Sequence, residues 1–563
     1  MRNKEATPMK RTVIFLLCLL LILCGGNHAS HASEEVPILG KGDYFPLEQP
    51  VQLTAWVVNA VDNISIKNSY VLDWIREETN VDLQITKEFS GSGAKYKLSL
   101  SVATAQELPD ILLCTRWTKA ECALYGMQGL VLPLDAYLED CENWNKLTEI
   151  CGPEHVSDLM MPDGHIYCYG AVNECFHLTH QARMWLYKDW VDLLLDGRLP
   201  ETTEEFYDYL CKVATMDPNG NGIADEIPLT GQIDEGWAND PFTFLSNAFV
   251  HNNTIYGSTN QTVASGCYLE DGEVRCNWVE EEYREALRYM NRLYSEGLLH
   301  SQVFSQNQQQ MTAQVEATPN VVGAVACGYI PSVRDEPRAD GTWTDWVCLP
   351  PLMGPYGTRM SYQSNYDYFY NCNGLITRDC RDPETAVQLF DFLASSEGNL
   401  VQNYGIEGVN WAWSDEGVGL DGGPSIYKFF WDSAEEGASV NWPADVHIGS
   451  MFDAFRLGLQ VEEGTYNGEK ILWECAESYD HFSPGKETVY PNIAYTAEQS
   501  QELIRYQAPI EEYVRRSLIQ FVSGSMNLDA NWCAYLDMLD ILGQENYHAL
   551  LQEAYDDYCQ MNP

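Results

Sequence analysis

VQLTAWVVNAVDNISIKNSYVLDWIREETNVDLQI, residues 51–85, decides the fold. Val51–Val58 is an apolar run of strand length, rich in β-branched residues. Tyr70–Thr79 places Val71, Trp74 and Ile75 on one side at helical spacing. Val81–Ile85 alternates apolar and polar residues, the period of a strand. Lys95–Gln106 reads as a second helix, and Pro109-Asp110 leads into a short strand over Ile111–Cys114. Strands alternating with helices at this spacing predict a parallel α/β sheet, with ligand chemistry at the C-terminal ends of its strands.

Further helix starts are well marked. Thr202 with Glu205, and Thr496 with Gln499, have the spacing of capping boxes. Asp382-Pro383 supplies an N-cap followed by proline at the first helical position. Val321–Cys327 (VVGAVAC) reads as a buried strand in mid-chain, and the C-terminal region reads as helical. At 563 residues the chain exceeds the size at which one hydrophobic core stops growing, so two lobes are expected. The order of elements predicts an α/β, two-lobed clamshell with multiple crossovers and a helical C-terminal region. The expected bounds are a signal over 1–33 and a linker over 34–49. The first lobe then takes 50–170 with about 320–395, and the second takes 171–319 with about 396–563.

Residues 1–33 read as an export signal. Arg2, Lys4, Lys10 and Arg11 precede Thr12–Cys24 (TVIFLLCLLLILC), an apolar run too short to span a bilayer as a helix. Two processing routes are open. Leu-Ile-Leu-Cys ending at Cys24 has the outline of a lipobox, which would put a lipid anchor on Cys24, although Leu23 stands where that pattern takes Gly, Ala or Ser. Ser30-His31-Ala32 is instead a small-x-small site for an ordinary signal peptidase. Both routes deliver an exported chain, lipid-anchored at the cell surface or secreted. No later stretch reaches 18 apolar residues, so contact with the membrane is expected only through the anchor.

Thirty-three Lys and Arg against 82 Asp and Glu leave a net charge of −49. That balance excludes nucleic acid, whose phosphates need basic contacts, and disfavours docking on an anionic membrane. A neutral ligand fits the field better than a polyanionic one. Aromatic residues make up 12% of the chain, with 16 Trp and 33 Tyr, a load on which a sugar-stacking site could draw. Two of the 18 cysteines, Cys18 and Cys24, fall in the signal. In CYLEDGEVRC, residues 267–276, Asp271-Gly272 is a two-residue hairpin turn. Counting outward pairs Cys267 with Cys276 at a non-hydrogen-bonded position, where side chains come closest. A disulfide there and a reduced pair filling the hairpin face are both open.

Several longer stretches occur in a telling order: LPDILL at 108–113, ALYGMQGLVLPLD at 123–135, MPDGHIYCYGAVNECFH at 161–177, DPNGNGIADEIPL at 217–229, YGIEGVNW at 404–411 and YQAPIEEYV at 506–514. From about Pro50 onward the chain resembles the extracellular solute-binding proteins of carbohydrate uptake, which include alginate- and fructooligosaccharide-binding lipoproteins. The resemblance implies a type II periplasmic-binding-protein fold and an oligosaccharide ligand. It also implies an ABC permease and an ATPase on separate chains, consistent with the missing Gly-x-x-x-x-Gly-Lys phosphate loop here.

DPNGNGIADE carries its own chemistry. Asp217, Asn219 and Asn221 recur at alternate positions, Gly222 stands sixth at the sharp turn, and Ile223 stands seventh, where a backbone carbonyl serves. This is the first half of an EF-hand loop, whose hard oxygens suit Ca²⁺. The twelfth position is Pro228 instead of the bidentate Glu, so Asp225 and Glu226 are expected to close the shell of a structural ion. The resemblance implies such a shortened calcium loop. A Gly- and Asn-rich surface turn without metal is the alternative reading.

Sugar receptors pair aromatic platforms with amide and carboxylate partners. Trp56, Trp117 beside Arg116, Trp237, Trp411 and Trp413 lie where loops would meet a cleft, and Asn410 sits beside the last pair. Tyr370 closes the SYQSNYDYFYN cluster with Tyr366 and Tyr368. Glu174 falls where the resembling proteins cross between lobes, which also suits a hinge role. Core packing is the alternative for each ring.

Three other roles compete with capture for import: a secreted carbohydrate-active enzyme, a surface lectin or sensor ectodomain, and a peptide-binding importer subunit. The chain has no Gly-x-Ser-x-Gly or His-Glu-x-x-His motif, and Cys175 near His177 and His180 is only a sequence neighbourhood. The reading is a binding protein, not an enzyme.

Overall fold

Ser69 caps the first helix by accepting from the Val71 amide, and Asn80 ends it in the left-handed region at φ 62°. Around that helix the expected βαβαβ unit forms. The computed structural model describes residues 38–561 apart from 60–68, 91–93, 114–116, 153–155, 157–158, 162, 173, 257–264, 335–344, 365–370, 431–447, 463–466 and 494. The signal with Cys24, Arg116, and Tyr366, Tyr368 and Tyr370 lie outside the described residues.

Strand β1 (Val51–Asn59) is followed by α1 (Tyr70–Thr79), β2 (Val81–Ser90), α2 (Ala94–Thr104) and β3 (Ile111–Leu113). β1 pairs in parallel with both β2 and β3. β2 runs five residues beyond the expected end at Ile85, following β1 past a bulge at Ala55/Trp56. α3 (Lys119–Met127), α4 (Glu142–Cys151) and β4 (Cys168–Ala171) complete this stretch. The chain then enters a second sheet with β5 (Met184–Tyr187), α5 (Thr203–Met216) and β6 (Ile227–Thr230). The Asp271-Gly272 hairpin forms as read, between β7 (Cys267–Glu270) and β8 (Glu273–Cys276), and α6 (Glu281–Ser295) follows.

The strand read at Val321–Cys327 is β9 (Val322–Ala326), buried throughout. The expected return to the first lobe near residue 320 does not occur there. β9 pairs with β5 and β6, and β10 (Trp346–Leu349) pairs with β5, giving a sheet ordered β10-β5-β9-β6. The chain re-enters the first sheet only with β11 (Asn371–Ile376), ordered β2-β1-β3-β11-β4. β11 runs antiparallel to β3 and β4, so this sheet is mixed where a parallel one is expected. An all-apolar run marks burial, but not which sheet receives it.

Asp382 and Pro383 start α7 (Pro383–Leu393) as read. The two-stranded ribbon β12 (Trp411–Trp413) and β13 (Tyr427–Phe429) follows, then α8 (Asp453–Leu457). The chain beyond 396 is expected in the second lobe, but its next stretch stays with the first. Met451 N donates to Val172 O, Ser450 N to Ala394 O, and Ser396 N to Leu39 O. The second sheet regains the chain at α9 (Gly468–Asp480), whose Tyr479 hydroxyl donates to Leu349 O. α10 (Ala497–Val522), α11 (Leu528–Leu542) and α12 (Gln544–Met561) supply the helical end. Thr496 and Gln499 form the reciprocal box, while Thr202 caps Glu205 but Glu205 Oε2 accepts from Glu201 N instead.

Candidate functional site at the crossover segments

The chain passes between the two sheets three times: after β4, after β10 and between α8 and α9. His180 ties these crossovers together. Its Nδ1 lies 3.0 Å from Tyr362 O and 3.3 Å from Ser361 Oγ, and its Nε2 lies 3.3 Å from Asp480 Oδ1 on α9. Ser364 N donates to Thr179 O, and Ser483 Oγ donates to Gln363 Oε1 at 2.6 Å. Only 1% of His180 is exposed, so these partners replace water.

A second knot joins the first crossover to α8 and α9. Asp453 N donates to Glu174 Oε2 at 3.0 Å, while Phe176 N donates to Asp453 Oδ1 at 3.1 Å. Glu174 therefore binds backbone at the crossing. Burial, reinforced by the neighbouring Asp453 charge, holds the Glu174 carboxyl above its usual range. Arg456 Nη1 stands 3.2 Å from Glu469 Oε2, and His177 Nδ1 stands 3.6 Å from the same oxygen. Arg183 is fully buried and donates to Gly328 O and His177 O.

Cys175 Sγ lies 3.3–3.4 Å from both ring nitrogens of His177. The contact has the members of a nucleophilic pair but not its electrostatics. Burial pushes the thiol up to about 12 and the imidazole down to about 3. A nucleophilic Cys needs the opposite shifts, a thiolate stabilised by an imidazolium.

The rings selected from sequence occupy separate settings. Trp56 is buried, with Lys87 Nζ 3.7 Å above its ring centroid. Trp117 is buried edge-to-face with Tyr125. Trp411 has no exposed surface, and its ring N–H donates to Gly405 O at 2.9 Å. Asn410 is buried beside it, its Oδ1 accepting from Ile406 N. In this conformation both shape the loop ahead of β12, and the exposed ring is Trp413, at 38%. Trp237 is half-buried and lies at the crossovers. Its Nε1 donates to Gln181 Oε1 at 2.8 Å, and Gln181 Nε2 donates to the Tyr362 hydroxyl. Gly328 permits this, because a Cβ there would meet the Trp237 ring at 2.6 Å. Sequence reading passed over Gln181, Tyr362 and Trp473. Trp473 is half-buried with its ring 4.7 Å from Phe176, and its signal is a Trp one residue after Leu472, which faces the core.

A cavity of about 880 Å³ opens elsewhere, beside the β7–β8 hairpin, lined by Tyr268, Glu270, Arg275, Glu280 and Glu487 among others; the Asp271-Gly272 turn borders it, but none of the rings, Glu174, Asn410 or the calcium-loop residues selected from sequence does.

The DPNGNGIADE loop joins α5 to β6. Asp217 ends α5 in the left-handed region at φ 44°, and Gly222 turns the loop at φ 75°. Asp217 accepts from the Asn221 and Gly222 amides, and Asn221 Oδ1 accepts from Ile223 N. Asn219 and Asn221 both donate to Asp225. Glu226 Oε1 is buried without a hydrogen-bond partner, and burial with repulsion from Asp217 and Asp225 holds its carboxyl above the usual range. Among the described residues no group of three His, Cys, Asp or Glu side chains stands in metal-binding geometry. The loop's remaining oxygens come from amides and a backbone carbonyl.

Two α/β lobes joined by repeated crossovers are the fold of the extracellular solute-binding proteins. No protein-family profile matches the chain. It is 22% identical to the fructooligosaccharide ABC transporter substrate-binding protein FusA of Streptococcus pneumoniae over 569 aligned residues, 99% of each chain. The FusA complex with kestose superposes at a TM-score of 0.70 with 21% identity, covering 91% of this chain and all of that one. An EF-hand mutant of FusA, bound to fructo-nystose, superposes equally well. An HMO-binding, ABC-transporter-associated solute-binding protein of Bifidobacterium longum infantis reaches 0.74 at 20% identity, covering 91% of this chain and 99% of that one. The Bacillus subtilis lipoprotein LipO is 24% identical over 293 residues, 51% of this chain and 53% of that protein.

Proposed function

We propose that this chain is the substrate-binding component of an ABC importer and captures an oligosaccharide by closure of its two lobes. The observation that carries the reading is the crossover cluster of Trp237, Gln181 and Tyr362: a half-buried ring beside amide and hydroxyl groups, which matches the apolar face and hydroxyl rim of a sugar. The end-to-end match to FusA supports the same role. In this reading one lobe is built on β1–β4 and β11 with α7 and α8, and the other on β5, β6, β9 and β10 with α9–α12, a division that sheet membership supports. Titration of the purified protein against a glycan panel tests the proposal: one oligosaccharide class should bind and be returned unchanged. Product formation would favour the enzyme reading, and a peptide ligand would favour the peptide importer.

Within this proposal Asp217, Asn219, Asn221, Asp225, Glu226 and the Ile223 carbonyl hold Ca²⁺. The buried, unpartnered Glu226 oxygen and the repulsion that Asp217 and Asp225 exert on its carboxyl are what a cation would relieve. The ion supplies charge neutralisation that fixes the loop between α5 and β6. Export with either anchoring at Cys24 or cleavage after Ala32 completes the proposal, and mass spectrometry of the mature N-terminus separates the two routes.

A further inference from the structure

The β7–β8 hairpin brings a cysteine to each of its open ends. Asp271 and Gly272 have φ of 53° and 83°, the paired positive values of a type I′ turn. The turn fixes the register Glu270–Glu273, Leu269–Val274, Tyr268–Arg275 and Cys267–Cys276. By alternation from the turn, the last is a non-hydrogen-bonded pair, where facing side chains approach most closely. The two Sγ atoms stand 3.0 Å apart, and both residues are buried.

We infer that Cys267 and Cys276 are a disulfide-forming pair, joined when the chain folds under oxidising conditions. Two S–H bonds break and one S–S bond forms. Two protons and two electrons pass, by way of solvent and a mixed disulfide, to an exchanging disulfide of low-molecular-weight or oxidoreductase type, which becomes two thiols. The surroundings set when this happens. α12 lies over the hairpin, with Gln552 accepting from Val274 N and donating to Gly272 O. β7 is bridged on its other side through Tyr268 to Val489. Burial raises the Cys267 thiol well above its ordinary range. Both sulfurs are enclosed once α12 covers the hairpin, so an exchanging disulfide reaches them in the hairpin before the C-terminal helices close, and the finished link is shielded from reductants.

The test is independent of the chain's own export. Full-length protein is made in a host with an oxidising cytosol, denatured without reductant, alkylated and digested. The expected result is a 267–276 pair lighter by two hydrogens and unlabelled at both cysteines, which take up label only after reduction. Labelling of Cys267 and Cys276 to the level of a pre-reduced control overturns the inference and leaves the pair as a thiol–thiol contact.

Discussion

His180 Nε2 stands 3.3 Å from Asp480 Oδ1 while the opposite ring nitrogen stands 3.0 Å from the Tyr362 carbonyl oxygen. One imidazole thus joins the first crossover, the second crossover and the helix after the third. The two sides are unequal, because the Asp480 side chain is 55% exposed and that of His180 only 1%.

That inequality sets the first prediction. His180→Ala leaves the Ser361 and Tyr362 groups buried with a lost partner and should destabilise the fold by about 1–3 kcal/mol. Asp480→Asn removes only a solvated charge and should cost under about 1 kcal/mol. Urea unfolding of the two variants checks the order, and equal effects would show that the tie is not where the geometry places it.

The buried His177 gives a pH dependence with a defined sign. Burial foremost, aided by Arg456 and Arg183, holds its folded value at about 3, and Glu469 only partly offsets this. Unfolded, it takes up a proton near pH 6.5, so the unfolded state binds the extra proton and stability falls as pH drops below that value. The loss should approach about 1.4 kcal/mol per pH unit from this residue down to pH 4.5. Below that Glu469 adds to it. Burial resists ionisation there, but the Arg456 guanidinium holds the carboxyl low in the fold, and that stabilisation disappears on protonation. Unfolding curves at pH 7, 6 and 5 should be steeper in pH for the native chain than for His177→Gln.

The opening βαβαβ unit is legible because each element declares its own period within a few residues. The hairpin and the helix caps are local in the same way. The crossover cluster is not, since His180 meets partners 182 and 300 residues away, and nothing near His180 in sequence marks either. Val322–Ala326 shows the same limit, because its burial is readable but its sheet depends on β5 and β6. Trp411 misleads for a different reason. Its Gly-rich approach resembles an open loop, yet the chain curls so that the indole N–H returns to Gly405.

For the loop at 217–226, calcium should raise the melting temperature and a chelator should lower it. Ligand at about 100 times its dissociation constant adds about 2.7 kcal/mol, a shift of a few degrees in a chain of this size. Asp225→Asn, which removes the carboxylate that Asn219 and Asn221 both contact, should abolish the response to calcium. A melting temperature indifferent to both calcium and chelator would leave the loop a metal-free turn.

Trp237 and Trp411 should separate binding from folding. Trp237 is half-buried at the crossovers and its N–H is spent on Gln181, so Trp237→Ala removes a platform while leaving most of the core intact. Oligosaccharide affinity should fall by about 1–3 kcal/mol with a small change in stability. Trp411 is fully enclosed, and its truncation opens a cavity and orphans the Gly405 carbonyl. Trp411→Ala should therefore cost about 3–5 kcal/mol of stability, with affinity unchanged in whatever fraction remains folded. Gly328→Ala provides the control between them, since its Cβ would push the Trp237 ring aside without deleting it. It should weaken binding less than Trp237→Ala, as measured by calorimetric titration beside thermal unfolding. Loss of affinity in Trp411→Ala without loss of stability would move the sugar site away from the crossovers and toward the β12–β13 ribbon.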